Sequence, residues 1–209
     1  MSKIDELAQA VEAGKAKIVP GLVQECLDEG IDPMVILNQG MIDAMGIVGE
    51  KFKNNEIFVP EMLVAARAMK KGVDVVKPHL GDGNSATIGK MIMGTVAGDL
   101  HDIGKNLVIM MIESAGFEVV DLGVDVPIEK FLEAAADPDV KIVGASALLT
   151  TTMPALRDTV EALNKAPNRA QFKIMVGGAP VTQEFADEIG ADCYTEDAAA
   201  AAEAAKTLI

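Results

Sequence analysis

The feature that most restricts the fold is an apolar run that leads through a glycine-bounded loop into a helical pattern. Met91–Val96 is short, apolar and close to glycine, which is typical of a buried parallel strand. From Lys105 onward the apolar residues recur at helical spacing. The loop between them, Gly98–Gly104, follows the carboxyl end of the strand, where open α/β sheets bind their ligands. These residues therefore predict an α/β fold with a ligand site at this loop.

Residues 89–209 continue the alternation of strands and helices. This pattern is typical of a parallel sheet covered by helices on both faces, and five strands favour the flavodoxin-like, Rossmann-type order. The predicted strands are Met91–Val96, Phe117–Leu122, Ile142–Leu148, Ile174–Val176 and Asp192–Tyr194.

Residues 1–80 are predicted to form four helices with short connections, which favours an antiparallel bundle. Gly30 ends the second helix, and Asp32-Pro33 begins the third with an N-cap and a first-turn proline. The fourth begins at Pro60, and its apolar stripe includes Met62, Ala65 and Met69. Residues 81–88 have the composition of a linker. The predicted organisation is thus a bundle at 1–80, a linker at 81–88 and an α/β domain at 89–209.

Composition excludes several classes of function. A net charge of -14 and 3% aromatic residues argue against a nucleic-acid or anionic-membrane partner. No apolar run is long enough to span a bilayer, and the N-terminus is too charged for a secretory signal. Cys26 and Cys193 lie far apart in apolar contexts, typical of reduced thiols. We therefore expect a cytoplasmic protein.

The loop contains His101, one of only two histidines in the chain. Asp99 is two residues earlier, so both side chains can lie on one side of an extended segment. An aspartate there can accept a hydrogen bond from one ring nitrogen and make the other a better donor to a metal. A phosphate-binding loop is not indicated, because five residues separate Gly98 from Gly104 and Asn106 replaces the required Ser or Thr. A protein-held zinc site would need further ligands nearby.

Three short motifs each stand at the end of a predicted strand: Asp99-x-His101-x-x-Gly104, Ser146-Ala147-Leu148 and Gly177-Gly178. Together they resemble the cobalamin-binding signature D-x-H-x-x-G … S-x-L … G-G. The stretch 58–69 resembles the helical cap that precedes this domain in methionine synthase and in the small corrinoid proteins of anaerobic methyl transfer. The resemblance covers almost the whole chain and implies a helical cap followed by a cobalamin-binding domain.

The resemblance also implies roles for individual residues. His101 would be the lower ligand of cobalt in a base-off, His-on cobalamin or related corrinoid, tuned by Asp99. Thr152 stands where methionine synthase has a serine that completes a relay with the aspartate, although it could instead cap the helix that begins near Met153. The implied cofactor-binding residues are His101, Asp102, Ile103, Gly104, Ser146, Leu148, Thr150, Gly177, Gly178, Val59, Met62 and Leu63.

Some of these residues have simpler interpretations. Gly177-Gly178 could form an ordinary strand-to-helix turn, and Ser146 could be a core hydroxyl. The apolar residues Ile57–Val59, with Met62 and Leu63, could form a hydrophobic staple and core of the bundle. Alternatively, they could form an apolar lid over something outside the bundle.

The resemblance implies a non-catalytic subunit that carries a methyl group on cobalt. A substrate-specific methyltransferase would supply the methyl group from a methylamine, a quaternary amine, methanol or an aryl methyl ether. A second methyltransferase would pass it to coenzyme M or tetrahydrofolate, and a corrinoid reductive activase would restore the reduced cofactor. A cobalamin-dependent regulator and a mutase small subunit are the alternatives, and the upper ligand of the purified protein would distinguish them.

Overall fold

The computed structural model describes residues 2–80 and 87–209 of the chain. They form two compact units, Met1–Ile88 with Ser114–Gly116, and Gly89–Glu113 with Phe117–Ile209. The predicted linker at 81–88 lies mostly outside the described residues.

The first unit is helical, as predicted. A π-helical turn at Asn38–Ile42 joins α3 to α4, so these two helices and the turn correspond to the third predicted helix. A 3-10 turn, Lys77–His79, follows α5. Asp32 begins α3 by accepting a hydrogen bond from the Met34 amide at 2.7 Å, as expected of an N-cap. The helices are α1 (Lys3–Glu12), α2 (Val19–Asp28), α3 (Pro33–Leu37), α4 (Asp43–Lys53) and α5 (Val59–Val76).

The second unit is a five-stranded, all-parallel sheet in the order β2-β1-β3-β4-β5, which confirms the predicted flavodoxin-like order. The strands are β1 (Lys90–Val96), β2 (Glu118–Val126), β3 (Val140–Ser146), β4 (Lys173–Gly177) and β5 (Cys193–Tyr194). The helices are α6 (Ile103–Ser114), α7 (Ile128–Ala135), α8 (Met153–Asn164), α9 (Gln183–Ile189) and α10 (Ala198–Leu208).

One core of this unit lies between the sheet and the helices α7, α8 and α9. Residues from the central strands, such as Ile92 and Val143, pack there with Phe131, Leu156 and Val160, and all are essentially inaccessible to solvent. Burial of such side chains contributes about 1.5–3 kcal/mol each. This core fixes the positions of the strand ends, and therefore of the loops that follow them.

β2 is longer than predicted because its pairing with β1 is irregular. Met93 pairs with Asp121, Gly94 with Gly123 and Val96 with Val126, so β2 contains two more residues than β1 over this stretch. Such bulges bend the strand and turn side chains in new directions. Asp125, within the irregular stretch, has a left-handed backbone with φ of 50°.

No helix within 2–80 or 87–209 is long and apolar enough to cross a membrane.

Candidate functional site

In the loop after β1, the ring of His101 is held by a hydrogen bond to a buried carboxylate, that of Asp99. The Asp99 side chain is fully buried, and its Oδ1 atom lies 2.7 Å from His101 Nδ1. The same oxygen accepts the His101 backbone N–H at 3.1 Å. The His101 ring is 47% exposed, so its other nitrogen, Nε2, is open to a ligand. An ionised carboxylate can only accept, so Nδ1 carries the hydrogen and Nε2 has the free lone pair.

The second oxygen of Asp99 joins the loop to the end of β3. Oδ2 accepts hydrogen bonds from the Leu148 amide and from the Thr152 hydroxyl, both at 2.7 Å. Burial alone would raise the pKa of Asp99, but the hydrogen bonds from Leu148, Thr152 and His101 outweigh it and hold the pKa below its usual range. Asp99 is therefore an anion at neutral pH. Thr152 stands at the N-cap of α8 but makes no side-chain capping bond, so its hydroxyl serves Asp99 instead.

Thr95 forms a second connection between the loop and the end of β3, and it was not predicted from the sequence. This buried residue of β1 donates its hydroxyl hydrogen to the His101 carbonyl at 2.9 Å, and its oxygen lies 3.1 Å from Ser146 Oγ. The only sequence signal was a polar residue inside an apolar strand. Asp125 was also missed, and it contacts the loop from β2.

A cavity of about 330 Å³ begins at His101 and passes between the ends of β1, β3 and β4. Lys105 forms part of its wall, but its ammonium is paired with Asp121 at 2.5 Å. Most of the other lining atoms are apolar, which suits a flat organic group. Of the predicted cofactor-binding residues, the cavity is lined by His101, Gly104, Ser146, Leu148, Gly177 and Gly178.

Two glycines that line the cavity, Gly104 and Gly178, differ in whether the protein has room for a side chain at their positions. A Cβ atom at Gly178 would lie 1.9 Å from the Ala147 carbonyl oxygen, and φ there is 129°, so the chain itself requires glycine. A Cβ atom at Gly104 would meet no protein atom within 4 Å. The protein therefore does not need glycine at Gly104 for its own packing, and a side chain there would narrow the cavity mouth.

The other predicted site residues lie around the mouth or in the helical unit. Asp102, Ile103 and Thr150 are exposed, and Ile103 is 85% exposed beside His101. In the helical unit, Val59 and Leu63 are half-buried. Met62 differs from the lid interpretation, because it is only 1% exposed and belongs to the bundle core, in line with its place in the α5 stripe. Phe58, by contrast, is 65% exposed.

The chemistry of the donors indicates what kind of group fits. Within the described residues, no cluster of three or more His, Cys, Asp or Glu side chains could hold a metal ion. The site instead offers one imidazole nitrogen beside a long apolar cavity. A macrocycle that brings its own equatorial nitrogens needs only one axial protein ligand, and a corrinoid with a nucleotide tail fits both parts.

Known protein families that bind a corrinoid match nearly the whole chain. Residues 89–205 match the family described as B12 binding domain, and residues 3–77 match a second family of the same description. The chain is also 44% identical to dimethylamine corrinoid protein 1 of Methanosarcina acetivorans, over 99% of this chain and 97% of that one. This chain belongs to the corrinoid protein family.

Two further matches extend the comparison. Trimethylamine corrinoid protein 1 of Methanosarcina acetivorans is 44% identical over 94% of each chain. The structure of the methanol:cobalamin methyltransferase complex from Methanosarcina barkeri matches with a TM-score of 0.88 and 30% identity, over 99% of this chain and 79% of that one. The predicted family, the helical cap with its α/β domain and the corrinoid class of cofactor are thereby confirmed.

Proposed function

We propose that this corrinoid protein carries a methyl group from a substrate-specific methyltransferase to a second methyltransferase. The observation that supports this most strongly is the Asp99–His101 pair, because Asp99 holds Nδ1 of a half-exposed imidazole that lines the cavity. When bound, a corrinoid supplies a cobalt centre that can accept and release a methyl group. The protein contributes binding, shielding and control of one axial nitrogen.

In this proposal, His101 is the lower ligand and Asp99 sets its strength. By accepting the Nδ1 hydrogen, Asp99 fixes the tautomer and makes Nε2 a stronger donor. Thr152 holds the other carboxylate oxygen, so Asp99, His101 and Thr152 can retain a proton between them.

The cavity would receive the displaced nucleotide tail. Ser146 would supply the polar contact, and Gly177 would let the tail pass close to the backbone at the end of β4, while Gly178 would line the turn that follows. Ile103 and Leu148, exposed and apolar beside His101, would lie under the corrin ring together with Asp102, Gly104 and Thr150.

We further propose that residues 1–80 act as a lid joined by a linker at 81–88 to the cobalamin-binding domain at 89–209. Phe58, with the half-buried Val59 and Leu63, is the apolar surface that would exclude water from the upper face of the cofactor. Both partner enzymes need that face, so the lid must move aside during each cycle.

The names of the relatives favour a methylated amine as the methyl donor. Relatives named for dimethylamine and trimethylamine match over 93% or more of this chain. The solved methanol:cobalamin methyltransferase complex supports a methyltransferase as the first partner. Quaternary amines, methanol and aryl methyl ethers are the other donors to test. Coenzyme M or tetrahydrofolate is the proposed acceptor, and a reductive activase is the third partner.

The decisive experiment removes each histidine separately. The cobalt(II) form of the loaded protein should show electron-spin coupling to one axial nitrogen, and His101→Ala should abolish it. His79, the other histidine, is exposed, and His79→Ala is the matched control that should keep the coupling. Persistence of the nitrogen signal in His101→Ala would refute the assignment.

A second experiment tests methyl carriage. The purified protein should carry methyl or water as its upper ligand, and it should gain methyl from dimethylamine or trimethylamine only when the matching methyltransferase is added. An adenosyl upper ligand would contradict methyl carriage and favour a mutase subunit or a light sensor.

A further inference from the structure

We propose that Asp125, at the end of β2, is a positioning residue that holds the loop carrying Asp99 and His101. The inference rests on the proposed role of His101 as the lower ligand. Two hydrogen bonds carry it, and we name them together the Asp125 clamp. Asp125 Oδ1 accepts the Gly98 N–H at 2.7 Å, and the Asp125 N–H donates to the Asp99 carbonyl at 2.9 Å.

The clamp fixes two consecutive residues of the loop from a distant part of the chain. Gly98 is held by its N–H and Asp99 by its carbonyl, immediately before the segment that leads to His101. The Asp99 N–H is itself bound to the Val96 carbonyl at 3.1 Å. The backbone that aims the Asp99 carboxylate is therefore constrained on both sides.

The backbone of Asp125 explains why the side chain reaches the loop. The irregular pairing between Gly94↔Gly123 and Val96↔Val126 places Asp125 in a left-handed conformation with φ of 50°. Most side chains are disfavoured there, whereas Asp and Asn adopt it more readily. A residue at this point must accept both the conformation and the Gly98 hydrogen. Aspartate and asparagine meet both requirements, and glycine meets only the first.

Asp125 acts on the loop rather than on the core. Its side chain is exposed, so it adds no apolar burial to the sheet. The position of the loop determines the four hydrogen bonds of the Asp99 carboxylate, which are two to His101, one to Leu148 and one to Thr152. A loose loop would shift the carboxylate relative to the imidazole, and with it the direction of Nε2.

The test compares Asp125→Gly, which keeps the backbone conformation but removes the acceptor, with Asp125→Asn, which keeps both. Hydrogen exchange in the full chain without cofactor should show the Gly98 amide exchanging roughly tenfold to hundredfold faster in Asp125→Gly, as expected for loss of a bond to a charged acceptor. Asp125→Asn keeps an uncharged acceptor, so its Gly98 exchange should lie between wild type and Asp125→Gly. Asn55 is also left-handed, with φ of 58°, so Asn55→Gly is the control for adding a glycine elsewhere.

The loaded protein supplies the second readout. Added ¹⁵N-imidazole should displace the axial nitrogen of cobalt(II) at a severalfold lower concentration in Asp125→Gly than in wild type, with Asp125→Asn between the two. Unchanged Gly98 exchange in Asp125→Gly would overturn the clamp and leave His101 as the ligand. Faster exchange with unchanged displacement would overturn the positioning role. A wild-type protein without nitrogen coupling would instead overturn the proposed function.

Discussion

Replacing Asp99 with asparagine tests whether Asp99 sets the strength of His101 as the proposed cobalt ligand. The change keeps the shape of the side chain but replaces one acceptor atom with an NH₂ group. In the wild type, Oδ1 accepts two hydrogens from His101, and Oδ2 accepts one each from Leu148 and Thr152. An amide can present its oxygen to only one of these pairs.

Both orientations leave one backbone N–H without an acceptor. If the oxygen faces His101, the Leu148 N–H loses its partner, while Thr152 can turn its hydroxyl to the Leu149 carbonyl at 2.9 Å. If the NH₂ faces His101, the backbone N–H of His101 is orphaned, and the ring must move its hydrogen to Nε2, which can no longer ligate. An orphaned buried donor costs about 1–3 kcal/mol. For a residue that orients a metal-bound histidine, the expected loss of ligation is roughly 10- to 100-fold.

The assay is competition at a pH where free imidazole is neutral. Cobalt(II) protein is titrated with ¹⁵N-imidazole, and the electron-spin signal changes from the triplet of ¹⁴N to the doublet of ¹⁵N as His101 is displaced. We expect half-displacement in Asp99→Asn at roughly 10- to 100-fold lower imidazole than in wild type. The cofactor should still co-purify, because Asp99 does not itself line the cavity proposed for the nucleotide tail.

Asp139→Asn is the control, because it makes the same change in net charge at an exposed residue in the turn just before β3. Equal displacement curves for Asp99→Asn and wild type would show that Asp99 only shapes the loop. Complete loss of cofactor from Asp99→Asn would show that its role is structural.

The remaining predictions concern stability and shielding. Gly178→Ala should destabilise the cofactor-free protein by about 2 kcal/mol or more in denaturant titration, because its Cβ would overlap the Ala147 carbonyl and φ is positive. Gly104→Ala should leave that stability unchanged or raise it by up to about 1 kcal/mol, yet weaken corrinoid binding measured by absorption titration. Phe58→Ala should leave stability nearly unchanged but speed air oxidation of the reduced, loaded protein. Because the pKa of Asp99 is lowered, its stabilising contribution should be complete above about pH 4 and fade as pH falls further, so stabilities of wild type and Asp99→Asn should converge in acid.

Each of these predictions has a contrary outcome. Equal corrinoid affinity for Gly104→Ala and wild type would show that the cofactor does not approach Gly104. Ile47 is an exposed apolar residue of α4, and Ile47→Ala is the control for Phe58. Equal oxidation rates for the two variants would remove the shielding role of Phe58. A difference between wild type and Asp99→Asn that persists unchanged into strong acid would mean that Asp99 ionisation does not stabilise the fold.

The sequence was sufficient for strand order and for the Asp99–His101 pair because both depend on local patterns. Five apolar runs between helices predict the sheet, and a two-residue spacing predicts the contact. The end of β2 was not predictable in this way. Residues 123–126 lack a continuous apolar pattern, and they stay in the strand through pairing irregularities that only the neighbour β1 reveals.

Contacts between distant parts of the chain also could not be predicted from the sequence. Asp125 reaches Gly98 across 27 positions, and Thr95 reaches Ser146 across 51. Neither pair has a spacing that marks it. Met62 shows a different limit, because helical periodicity fits both a core stripe and a surface cluster, and only burial in the folded bundle decides between them.

The direction of the hydrogen bond between Thr95 and Ser146 follows from the number of hydrogens that the two hydroxyls carry. The His101 carbonyl can only accept, so the single hydroxyl hydrogen of Thr95 is committed to it. The bond between the two hydroxyls must then use the hydrogen of Ser146, which leaves Ser146 offering lone pairs to the cavity. A tail base that donates an N–H can bind Ser146 without disturbing this order. A base that presents a nitrogen lone pair can bind Ser146 only if Ser146 turns its hydrogen away from Thr95. The bond between the two hydroxyls is then lost, unless Thr95 turns its own hydrogen to Ser146 and releases the His101 carbonyl, so binding of the proposed tail would be coupled to the loop that carries His101.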